Sequence, residues 1–171
     1  MPKTYESIAR TVLSTSSSAV TFSSITNQYT DLVLILHVRD NSAGTQFSNI
    51  QLTYNGDIGN NYSAVDLYGN GSAATSFGLP NRDRAWVSYM SSKIDIYSSI
   101  AINIMNYSNT NIFKTSIIRS SFGTTSPNTT SLDEHVVSTW RNTSAINSIV
   151  VNGAVSFAPG STFTLYGIKA A

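Results

Sequence analysis

The sequence predicts an all-β fold: a single antiparallel β-sandwich of jelly-roll-like type. Three observations carry this expectation. Ile94, Ile96, Ile100, Ile102 and Ile104 all occupy even positions, and Lys93, Asp95, Tyr97, Ser99, Ala101 and Asn103 fill the odd positions around them. Successive strand residues point to opposite faces, so this row describes one apolar face backed by a mostly polar one. Similar alternation recurs along the chain, with no long helical period competing. Turn residues then recur about every 8–12 residues, the spacing of sandwiches and jelly rolls. The 171 residues suit one domain with a real core.

Residues 1–13 read as an N-terminal strand or arm, and residues 14–171 as the sandwich domain. Ser14 to Ser18 is a Ser/Thr loop, and Val20 to Ile25 a short strand. Asn27 to Asp31 is turn material. Leu32 to Arg39 is apolar on both faces before turning polar at His37, which marks a central strand. Asp40 to Thr45 reads as a loop. Phe47 to Tyr54 is a strand, stopped by the tight-turn pair Asn55-Gly56. Val65 to Tyr68 is a short strand followed by Gly69-Asn70-Gly71. Ser72 to Arg84 has no period and reads as a surface loop. Trp86 to Met90, Lys93 to Met105, Ile112 to Phe122 and Glu134 to Arg141 are further strands, with a loop over Gly123 to Ser131. Asn152-Gly153 reads as a turn joining Ile146–Val151 to Ala154–Phe157, and Pro159-Gly160 leads to Thr162–Ile168. The expected core includes Leu34, Leu36, Ile94, Ile96, Ile102, Ile104, Val136 and Phe163.

Composition narrows the function classes. Charged residues are 11% of the chain, against roughly 25% in ordinary soluble domains. Ser, Thr and Asn take their place. That suits either a neutral polar surface or one that packs against other subunits or glycans, where desolvating charge is costly. The net charge is +1 and the basic residues are scattered, which argues against nucleic-acid binding. There is no cysteine, and hence no disulfide, thiolate metal site or cysteine nucleophile. The amino terminus does not read as a secretory signal, and no apolar run approaches the ~18 residues of a membrane helix.

No motif predicts catalysis, a metal or a cofactor. Nine carboxylates are present, and nothing pairs two of them as glycoside hydrolysis requires. Asp133-Glu134-His135 is the densest polar cluster, but neighbouring strand residues face opposite ways and no nucleophile-elbow pattern accompanies it. The two histidines, His37 and His135, lack a partner at metal spacing. Asn55 to Asn61 is rich in oxygen ligands but lacks the spacing and distal Glu of an EF-hand, and a tight turn explains it. Aromatic residues near strand ends are the remaining candidates for stacking on a sugar or anchoring an interface. Trp86, Tyr89 and Trp140 are the binding candidates of this kind, with core packing as the competing explanation.

Four ordered blocks carry a family resemblance. They are Val20 to Leu34 (VTFSSITNQYTDLVL), Tyr54 to Ser63 (YNGDIGNNYS), Leu67 to Ala73 (LYGNGSA) and Thr164 to Lys169 (TLYGIK). Together they span nearly the whole chain, and it resembles small β-sandwich structural proteins of tailed bacteriophages, especially marine and cyanobacterial phages. The resemblance implies a virion protein made in the host bacterial cytoplasm, with no catalytic residues. Both capsid decoration and tail or fibre roles fit the resemblance. Size, a single domain and an amino-terminal segment able to act as an arm favour decoration or cement, binding coat protein or other virion proteins as a homo-oligomer, a trimer being the expected state. The alternative the resemblance leaves open is a head-fibre or tail-fibre module that binds host surface glycan. Ile146 to Val151 and Thr162 to Ile168 lack charge, and they read as edge strands that a neighbouring subunit covers.

Overall fold

A computed structural model describes residues 5–42, 47–122 and 131–169. The described chain is all-β, with two antiparallel sheets packed as a sandwich. Its twelve strands are β1 (Tyr5–Val12), β2 (Ser17–Phe22), β3 (Asp31–Val38), β4 (Phe47–Tyr54), β5 (Tyr62–Gly69), β6 (Ala74–Arg82), β7 (Ala85–Ser91), β8 (Ser98–Met105), β9 (Lys114–Phe122), β10 (Leu132–Trp140), β11 (Ile149–Phe157) and β12 (Thr162–Ile168). The large sheet runs β1-β12-β3-β8-β9-β10-β5-β6, and the small sheet runs β2-β11-β4-β7.

Between the sheets lies one core. From the large sheet, Leu32, Leu34 and Leu36 of β3, Ile100, Ile102 and Ile104 of β8, Ile118 of β9, Val136 of β10 and Phe163 and Leu165 of β12 point inward. The small sheet contributes Val20, Phe22, Ile50, Leu52, Val87, Ile149 and Val151. At one end, Tyr54, Tyr62 and Trp140 pack ring against ring, and the ring of Tyr62 lies nearly parallel to that of Trp140. Lys114 is fully buried beside them and donates to the carbonyls of Ile112 (2.8 Å) and Thr143 (2.9 Å).

Several sequence expectations are corrected. β8 begins at Ser98, and Ile94 sits in the preceding turn with 61% of its surface exposed; Ile96 is only half-buried. The chain must reverse between β7 and β8, so the isoleucine parity continues past the strand without structural meaning. Residues 74–82, read as a loop, form β6, which pairs with β5 from Tyr62↔Arg82 to Gly69↔Ala74. An outermost strand needs no apolar face and tolerates Gly78 and Pro80, which hides it from a periodicity reading. Asn152-Gly153 is not a turn but lies inside β11, where Asn152 pairs with Ala19 and Gln51. A Cβ on Gly153 would collide with the carbonyl of Val155, so crowding explains that glycine better than a turn does.

The neutral segments expected at the edges are interior. β11 lies between β2 and β4, and β12 between β1 and β3, so neighbours on both sides remove any need for charged guards. The outermost strands are β1 and β6 in the large sheet and β2 and β7 in the small one. The N-terminal segment is a strand of its own sheet, paired with β12 from Tyr5↔Ile168 to Val12↔Thr162. It carries Glu6, Arg10 and a bulge near Ser7, devices that blunt an edge. The segment from Ala74 to Asn81 in β6 carries no charge at all.

Candidate interaction face and a buried acid cluster

β5 departs from the rule that apolar residues face inward. Its inner residues are Tyr62, Ala64 and Asp66, while Val65 and Leu67 face solvent, 60% and 50% exposed. Tyr62 sets this parity. It is fully buried, its hydroxyl donates to the Asp57 carbonyl (2.9 Å), and it accepts from the Tyr54 amide (3.1 Å). With Tyr62 inward, a period of two carries Asp66 into the core and Val65 and Leu67 out.

Exposed apolar groups extend across the neighbouring strands. Val65 is opposite Val137 of β10, and Val137 is opposite Ile117 of β9. These side chains and His135 line a groove of about 260 Å³. One register row away, Ile35, Ala101, Arg119, His135 and Leu67 follow one another across β3, β8, β9, β10 and β5. A second groove of about 450 Å³ lies across β3 to β10, with Ile35 and Ala101 beside His37, Ser121, Arg119 and Asp133. The outer face of the large sheet is therefore a continuous surface, with exposed apolar groups from β5 to β9 and with His37, Arg119 and Asp133 among apolar residues nearer β3. His37 stacks on Tyr97 at 4.9 Å, and Arg39 lies over the same ring.

Beneath that face, between the sheets, sits a polar cluster. Glu134 of β10 is 1% exposed, and Asp66 is fully buried. Trp86 of β7 donates its indole N–H to Asp66 Oδ2 at 2.8 Å. Glu134 Oε2 accepts from the Ser88 hydroxyl and from the Tyr89 amide (3.1 Å), and Ser88 also meets Ser120 of β9. Burial pushes the Glu134 carboxyl up to about 7, and burial also raises that of Asp66. Asp40 shows the opposite balance. Burial acts to raise its pKa, but hydrogen bonds from Ser42, Ser92 and Ser48 outweigh it and hold the carboxyl below its usual value.

The aromatic candidates take other roles than open stacking platforms. Trp86 is 5% exposed and packs edge-on to Tyr89 and Phe77. Trp140 is 1% exposed and donates to Asp57 Oδ2 at 2.7 Å. Neither offers a free ring face for a sugar. Tyr89 is half-buried and meets Phe47 edge-on at 4.5 Å. Within Asp133-Glu134-His135 the strand separates the three: Asp133 and His135 lie outside with 3.6 Å between them, and Glu134 lies inside. Among the described residues no group of three or more His, Asp or Glu is placed to hold a metal ion.

The Asn55 to Asn61 segment is a structural joint. Asn55 accepts from the amides of Asn147 (2.9 Å) and Ser148 (3.2 Å), and its own amide donates to the Ala145 carbonyl. Asp57 accepts from Trp140, from the Gly59 amide (2.9 Å) and from Asn61. Its oxygens thus face N–H donors, an arrangement opposite to that of a cation loop. Sequence reasoning did not single out Asp66, Ser88 or Ser120. The only signal available was an acid flanked by Val65 and Leu67, which ordinarily reads as an outward-facing residue.

No protein-family model, curated protein or solved structure matches the chain.

Proposed function

We propose that this chain is a structural protein of a tailed-phage particle, a capsid decoration protein that binds coat subunits as a homo-oligomer, with a trimer as the expected state. The observation that carries the reading is the inverted strand β5. Placing Val65 and Leu67 in water beside Ile117 and Val137 works against folding, and such departures from the inward rule collect at functional surfaces. Eight strands at ~4.8 Å spacing and about seven residues at ~3.3 Å give a face of roughly 800 Å², comparable to the ~800 Å² each partner contributes to a standard interface.

The strand order supports the same reading. We take β1-β12-β3-β8 and β2-β11-β4-β7 as the two facing four-stranded sheets of a jelly roll. On this reading the paired strands β5–β6 and β9–β10 are insertions that extend one sheet. Jelly rolls serve in viral capsids and in lectins. The apolar patch and the acid cluster then both draw on the inserted strands, which suits an addition specialised for contact. The uncharged outer edge of β6 offers a second contact by strand addition.

The alternative is a glycan-binding fibre module. His37, Arg119 and Asp133 at the rim of the second groove favour it, because those groups offer donors and acceptors to hydroxyls. Immunolabelling of particles from host cells that produce the protein decides between the two. Label distributed over the shell supports decoration, and label confined to fibre tips supports the alternative. Absence from the particle defeats both.

A further inference from the structure

The geometry points to a proton-dependent clasp, formed by the carboxyl groups of Glu134 and Asp66, that holds β7 against β5 and β10. Asp66 is opposite Val136 in the β5–β10 ladder, so it is the diagonal neighbour of Glu134 on the same inner face. Each acid reaches across to β7 with one oxygen, Asp66 to the Trp86 indole and Glu134 to Ser88 and the Tyr89 amide. The other oxygen of each, Asp66 Oδ1 and Glu134 Oε1, is buried without a hydrogen-bond partner, as is the hydroxyl of Ser138 further along β10.

The titratable groups of the cluster are Tyr68 and Asp66 on β5 and Tyr89 on β7, all neutral or acidic. β9 presents Ser120 and Phe122, and the inner residues of β8 are Ser98 and isoleucines. Asp133 and His135, the neighbours along β10, face the other way. Among the described residues no ion pair includes either acid. Two ionised carboxylates side by side in a buried site repel each other and lose hydration, which favours keeping a proton on the pair. β7 is an outermost strand whose ladder runs only to β4, with one further backbone tie at its end, from the Asp40 amide to the Ser91 carbonyl (2.9 Å). It can therefore part from the large sheet without disrupting an interior ladder.

The direction follows from the Glu134 carboxyl, which burial pushes up to about 7 in the fold from its ordinary value of 4.5. Between those values the native chain holds a proton that the unfolded chain has lost. Stability therefore falls as pH rises through the window and levels off above it. This inference does not depend on the proposed virion role.

Thermal melting of the full chain tests it, together with amide exchange over residues 85–91 and infrared detection of a protonated carboxyl. The wild type should lose about 5–10 °C in Tm between about pH 5 and pH 8.5. Exchange in β7 should rise more than in β3 once the intrinsic pH effect is removed. The infrared band should be present near pH 6 and weakened in Glu134→Gln, which should also lose at least half of the Tm drop. A flat or rising Tm across the window overturns the clasp, as does an unchanged slope in Glu134→Gln. Should that variant fail to fold, Asp66→Asn reads the same slope, and a wild type lacking the infrared band near neutral pH is decisive against the idea.

Discussion

The ring of Tyr29 lies directly on the backbone of Gly167, leaving no room there for a Cβ. Tyr29 precedes β3, and Gly167 sits near the end of β12, the strand beside it. Two blocks far apart in sequence thus meet face to face. Tyr29 is further held by its hydroxyl, which accepts from Gln28 (2.8 Å) and donates to Glu6 (3.2 Å). Gly167→Ala should displace the ring and destabilise the fold by about 1–3 kcal/mol. Tyr29→Phe keeps the ring and should be milder. Denaturant unfolding of both variants checks the order.

The Asp57–Trp140 bond should matter almost as much. Asp57→Ala leaves the buried indole N–H of Trp140 without an acceptor and frees Gly59 and Asn61. The expected loss is about 1–3 kcal/mol. Asp57→Asn retains one acceptor oxygen and should recover part of it. Equal melting of the wild type and the alanine variant would show the joint to be dispensable.

Two isoleucines of equal parity should behave oppositely. Ile102 is fully buried, whereas Ile94 is 61% exposed. Ile102→Asp places an unpaired carboxylate in the core, costing several kcal/mol against a total of roughly 5–15, and should abolish soluble folding. Ile94→Asp should change stability by less than about 0.5 kcal/mol. Soluble yield and circular dichroism distinguish these outcomes.

Charge on the outer face should dissociate the proposed oligomer and spare the fold. Val137 and Ile117 are directly opposite each other and about half exposed. Lysine at both positions points into water in a monomer but is buried in a complex that covers the patch. Light scattering should show the wild type as an oligomer and the double variant as a folded monomer. A monomeric wild type at high concentration removes the face as a self-contact.

The acid limb should have the opposite sign to the neutral one. Asp40 and Asp57 both have lowered pKa values. Burial opposes the lowering, and hydrogen bonds from Ser42, Ser92 and Ser48 in one case, and from Trp140, Gly59 and Asn61 in the other, produce it. Their contribution is complete above the unfolded value of 3.8 and is lost as pH falls through the lower folded value. Together with Glu134, this places maximum stability in the weakly acidic range. A pH series of melting temperatures in the wild type, repeated with Asp40→Asn, should show the acid limb shrink in the variant.

Much of the fold was legible in the sequence because a strand with one wet face writes its burial into alternate positions. Leu34, Leu36, Ile102, Ile104, Val136 and Phe163 read as core and are core. Asn55-Gly56 read as a tight turn, and both residues adopt positive φ. Alternation says which residues share a face, but not where the strand stops, so Ile94 and Ile96 were grouped with a row that begins at Ser98. β6 left no trace, since its ladder with β5 is made by backbone groups that every residue type possesses.

The sequence by itself determined the class of the fold, the positions of most strands, and the absence of a recognisable catalytic motif. Only the tertiary structure decided which strands are edges and which way β5 faces. Those depend on contacts between distant segments: β12 with β1 and β3, β11 with β2 and β4, and Tyr62 with Tyr54 and Asp57. Strand parity is a single two-valued choice made for the whole segment. The firm anchoring of Tyr62 outweighs the exposure of Val65 and Leu67 and the burial of Asp66, and places an apolar patch outside and an acid pair within.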